Sequence, residues 1–99
     1  MNLEDDLLKK FRRLTSLMPV SSKLALAKNK KLYWLYYAGM GQTDYHEMPE
    51  FEQKVAHEML SKNIFYITDK TQTLPVFDDK GFSGEIVFKI VAEKNVTTF

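Results

Sequence analysis

The spacing of apolar residues changes near Ile64, and that change constrains the fold more than any other feature of the chain. Ahead of it, apolar residues recur at three and four positions, the period of a helix with one buried stripe. Beyond it, β-branched and aromatic residues alternate, the period of a strand. Helical pattern first and strand pattern last specify an α+β fold.

Leu3, Leu7, Phe11, Leu14 and Met18 form the first stripe and predict a helix over 3–18. Asn2 suits its N-cap, Glu4, Asp5 and Asp6 suit the positive end of its dipole, and Pro19 stops it. A second segment over 23–38 follows Ser21 and Ser22 and closes at Gly39. Its first half holds strong helix formers, and its second half, Leu32-Tyr-Trp-Leu-Tyr-Tyr, concentrates aromatics that also suit a strand. We read it as one long helix, with a helix followed by a strand as the alternative. Residues 41–48 read as a loop. Pro49 opens a third helix carrying Phe51, Val55 and Met59 on one face, and Asn63 suits a left-handed end.

Three strand candidates follow, over 64–68, 73–77 and 85–91. Asp78-Asp79-Lys80-Gly81 predicts a bulged hairpin between the last two, and Pro75 places the middle one at an edge. The expected architecture is therefore a single α+β domain over 1–99, three helices followed by a small antiparallel two- or three-stranded β-meander.

A chain of 99 residues has room for one core, and 44% hydrophobic residues, with seven Phe, five Tyr and one Trp, are enough to build it. Zero cysteines exclude disulfides and thiolate chemistry. The N-terminus carries acids where an export signal needs cations and an apolar run, and the longest apolar window, 32–40, is far short of the roughly 20 residues that span a bilayer. The expectation is a cytoplasmic protein without membrane contact.

The net charge is +1, yet residues through Leu35 hold eight basic and three acidic side chains and the remainder holds six and ten. Either the basic half docks on an acidic partner, or the two halves attract each other.

Reaction chemistry finds little support. His46 and His57 are eleven positions apart with Pro49 between them, unlike the i, i+4 pair of a helical zinc site. Asp78 and Asp79 precede Glu85 and Lys89 as in some metal nucleases, but three intervening residues separate those two groups by about 13 Å on a strand. No serine lies in a nucleophile elbow, and Gly39-Met-Gly41 is not a phosphate loop. These patterns predict no catalytic residue, no metal site and no cofactor.

Three helices ahead of a hairpin is the element order of a winged-helix DNA-binding regulator, with Lys80-Gly-Phe-Ser-Gly as a wing tip. Against it, the third helix carries Glu50, Glu52 and Glu58 where phosphates require cations. The sharper expectation is a non-enzymatic protein that binds another macromolecule, most of all a protein, as an inhibitor, adaptor or regulator, or that pairs as a homodimer. Tyr33, Trp34, Tyr36 and Tyr37 are the expected anchors, because Tyr and Trp bring large area with a polar tip. Lys9, Arg12, Arg13, Lys30 and Lys31 would steer an acidic partner, or nucleic acid in the alternative reading.

Overall fold

The computed structural model describes residues 2–17 and 21–94. Its elements run α1 (Leu3–Ser16), β1 (Lys23–Ala27), β2 (Leu32–Gly39), β3 (Gln42–Glu47), α2 (Glu50–Ser61), β4 (Phe65–Asp78) and β5 (Gly81–Glu93). The strands form one antiparallel sheet in the order β3-β2-β1-β5-β4. The fold is α+β, but with two helices and five strands among the described residues; the three-helix expectation with a small meander is corrected, and the winged-helix element order falls with it.

Both surviving helices end as their residues dictate. Asn2 accepts the amide protons of Glu4 and Asp5, at 3.0 and 3.4 Å, and three acids occupy the first turn of α1. The stop assigned to Pro19 lies outside the described residues. At the end of α2, Asn63 has φ 61°, its N–H reaches the Leu60 carbonyl, and the Ile64 N–H reaches that of Met59. This is a Schellman closure with asparagine in the glycine position.

The segment 23–38 is the main departure, because it is two strands and not a helix. Lys28-Asn29-Lys30 turns the chain, with Lys30 at φ 69° and the Asn29 side chain accepting the Lys31 N–H at 2.9 Å. On either side the residues alternate between two buried faces. Leu24 and Leu26 face the helices, and Ala25 and Ala27 face away. A strand buried on both sides reads as a continuous apolar run, and such a run looks helical when its small residues are alanines. The stretch read as a loop is β3, a polar edge strand joined to β2 by a two-residue turn at Met40 and Gly41, with φ 53° and 78°.

α1 and α2 cover one face of the sheet. Leu7, Phe11, Ala56 and Met59 meet Leu24, Leu32, Trp34, Phe65 and Val91 there. No helical residue belongs to the cluster on the opposite face, where Ala25, Ala27, Tyr33, Leu35, Leu74 and Phe88 are nevertheless buried. The sheet covers this face by coiling on itself. The alanines of β1 leave a hollow that Phe88 fills, its ring 5.3 Å from that of Tyr33 and 5.6 Å from that of Tyr45. Gln72 of β4 lines one cleft of about 190 Å³ with Lys23 of β1, Leu35 and Tyr37 of β2 and Thr43 of β3, so the sheet curves around this face.

The expected hairpin across residues 78–81 forms, with Asp78 accepting the Lys80 N–H, and Pro75 sits on edge strand β4 as anticipated. The second and third strand candidates are longer than read, and the first two merge into β4 across an irregularity between Ile67 and Thr71.

Met40 is a fold-level anomaly. A non-glycine residue in the left-handed region costs roughly 1–2 kcal/mol, and its side chain is entirely in solvent, so no packing offsets that cost. Met40→Asn is expected to raise the unfolding free energy by about 0.5–1 kcal/mol in urea titration, since asparagine tolerates this conformation better. A loss of stability would show that the methionine makes a contact in the monomer.

Candidate functional site: the β2–β3 hairpin

Strand alternation separates the four expected aromatic anchors. Tyr33 and Tyr37 point to the coiled face with Leu35, and Trp34 and Tyr36 point to the helical face. Tyr33 is buried between Tyr45 and Phe88, with its hydroxyl taking a hydrogen bond from Asn29 and lying 3.4 Å from Glu47. Trp34 is buried under α1, where the Lys10 ammonium lies 5.7 Å from its ring centre. These two rings serve the core. Tyr36 and Tyr37, nearer the turn, are 38% and 48% exposed.

The turn adds residues that the sequence reading passed over. Met40 projects from it, Tyr45 stands partly exposed on β3 opposite Leu35, and the Tyr37 hydroxyl accepts the Gly41 N–H at 3.2 Å. Gly-Met-Gly was the available signal, since two consecutive positive φ values suit a tight hairpin. A second exposed pair, Phe77 and Phe82, stacks edge to face near the tip of the β4–β5 hairpin.

β3 is an edge strand with a bare ladder. The Met48 N–H donates to the Leu32 carbonyl, so by alternation Asp44 and His46 direct their backbone groups toward β2. Thr43, Tyr45 and Glu47 direct theirs outward, where no described residue pairs with them. The inner end of this ladder is closed by a side chain. Gln53 of α2 accepts the Leu32 N–H at 2.9 Å and donates to the carbonyls of Leu32 and Met48 at 2.8 and 3.2 Å. The other edge, β4, is interrupted by Pro75 and by two register shifts, devices that discourage pairing.

Much of the charge asymmetry is used within the molecule. Lys10 pairs with Glu52, Arg12 with Glu93 and Lys31 with Glu47, each joining the basic half to the acidic half. Lys9, Arg13 and Lys30 have no ion-pair partner among the described residues. Lys30 and Lys31 stand at the start of β2, about 20 Å from the exposed tyrosines at its end, so rings and cations do not form one patch.

Arg12 holds Glu93 with two hydrogen bonds, at 2.9 and 2.6 Å, tying α1 to β5. Hydrogen bonding to this guanidinium, with its charge, draws the Glu93 carboxyl below the usual carboxylate range against the opposing effect of burial. A lowered folded-state pKa contributes stability above the unfolded value, lost as pH falls through the folded one. Glu93→Gln should therefore lower stability by under about 1 kcal/mol at neutral pH, and the difference should vanish in acid. A difference independent of pH would dismiss this ion pair as its source.

The histidines stay apart in role, His46 on β3 and His57 on α2, and Asp78 and Asp79 belong to the hairpin turn. No described helix is long and apolar enough to cross a membrane. Compared with protein-family models, curated proteins and solved structures, the chain matches none of them.

Proposed function

We propose that the protein is a binding module whose partner is another protein, held on the outer part of the β2–β3 hairpin. The observation that carries this reading is the placement of Tyr36, Tyr37 and Met40 in solvent around one turn, next to a strand edge with unpaired backbone groups. Exposed rings and a pliable thioether supply contact area around the turn. An inhibitor, adaptor or regulator uses this kind of surface, and no side-chain set described above assembles a nucleophile with its base. Lys9, Arg13 and Lys30, with Arg12 and Lys31, would contribute to encounter with an acidic partner and little to its retention. The test is capture from native lysate by the purified chain and by a Tyr36→Ser, Tyr37→Ser, Met40→Ser variant of confirmed fold. Proteins held by the first and lost by the second support the reading; an identical set places the interface elsewhere.

A further inference from the structure

The bare edge of β3 is self-complementary. We infer that two copies of the chain pair through it, β3 against β3 in antiparallel register about a two-fold axis at Tyr45, making one sheet continuous across the dimer. The inference rests on reading the β2–β3 hairpin as an interface and names a second copy of this chain as the occupant of its edge, leaving Tyr36, Tyr37 and Met40 at the turn to the partner.

Parity and charge select the register. Only Thr43, Tyr45 and Glu47 offer outward N–H and C=O groups, so these residues must face one another, and of the axes from Thr43 to Glu47 only one at Tyr45 pairs all three. An axis at Asp44 would also oppose two copies of that carboxylate, and one at His46 would leave Thr43 unpaired. An axis at Glu47 would set that carboxylate against its own copy, and one at Thr43 would leave Glu47 beyond the paired stretch. With the axis at Tyr45, Thr43 faces Glu47 of the partner subunit and all three outward residues are paired. On the helical side of the sheet, Asp44 then faces His46 of the partner subunit, twice by symmetry, in the non-hydrogen-bonded positions where side chains approach closest. Both Asp44 and His46 are exposed in the monomer and are free of ion pairs among the described residues. No like charges oppose each other anywhere in this register. β4 offers no equivalent, because Pro75 and its register shifts break the edge. Pairing of this kind leaves the two Met40 turns at opposite ends, about 30 Å apart, each still open to a partner.

The chain has no cysteine, which makes single-cysteine variants clean reporters. Sedimentation of the purified chain should give, with rising concentration, twice the 11.6 kDa mass. Under mild oxidation Tyr45→Cys should cross-link to dimer, since facing Cα atoms about 5.5 Å apart are within disulfide reach, and Thr43→Cys should not. Asp44→Lys should weaken association at least tenfold, and adding His46→Glu should restore it, a rescue that mere misfolding would not show. A chain that stays monomeric at every concentration overturns the inference. So does a dimer in which Thr43→Cys cross-links as readily as Tyr45→Cys, or one that the charge exchange does not rescue. Loss of self-association with lysate capture intact would overturn only this pairing; loss of Tyr36-dependent capture with the dimer intact would overturn only the proposed function.

Discussion

Phe88→Ala is expected to lower the unfolding free energy by about 3–5 kcal/mol, the range for removing a buried phenylalanine ring. Phe88 is fully buried on a sheet face that no described helix covers. Its ring fills the space above Ala27 and touches Tyr33 and Tyr45, so removal opens a cavity and leaves two further rings without an edge to pack on. Urea denaturation monitored by tyrosine and tryptophan fluorescence gives the value. A loss below about 1 kcal/mol would mean that the coiled face is not a packed core.

Gln53→Ala is expected to lower stability by about 2–4 kcal/mol, although the residue is polar and sits on a helix. Its amide is the partner of a backbone N–H and two carbonyls where β2 and β3 separate. Leu32 and Met48 are buried, so water does not replace the lost bonds, and an unpaired buried backbone group costs roughly 1–3 kcal/mol. Gln53→Leu separates this account from simple packing. It restores volume and leaves the Leu32 N–H unpaired, so it should remain destabilised by a similar amount. Stability equal to the wild type in Gln53→Leu would show that the amide contributes only bulk. Because Gln53 anchors the C-terminal end of β3, its loss should also raise hydrogen exchange at Asp44 and His46 ahead of the rest of the sheet.

What could be read from the residues divides along physical lines. Local chemistry was legible wherever one side chain decides one turn: Asn2 as a cap, Asn63 as a left-handed end, Asp78 within a hairpin, Pro75 on an edge. Long-range pairing was not. Leu-Ala-Leu-Ala satisfies a helix as well as a strand buried on both sides, and what decides is hydrogen bonding to β2 across a short turn and to β5 near the other end of the chain. Lys28-Asn29-Lys30-Lys31 was the break between the two strands, and its charge concealed its geometry. β3 has almost no apolar residue, so hydrophobic period cannot find it. The aromatic cluster at 33–37 was visible as surface-capable area, but its division into two buried and two exposed rings follows from strand alternation, which a helical reading could not supply.

Ionic strength separates partner binding at the exposed turn from binding through charge. Capture by the wild-type chain and by the Tyr36→Ser, Tyr37→Ser, Met40→Ser variant is measured across a salt series, with equal melting temperatures confirmed for both. Partner proteins should be retained by the wild type with weak dependence on salt and lost by the variant. Retention that is the same for both chains, or that falls linearly in log salt as phosphate contacts do, would contradict it.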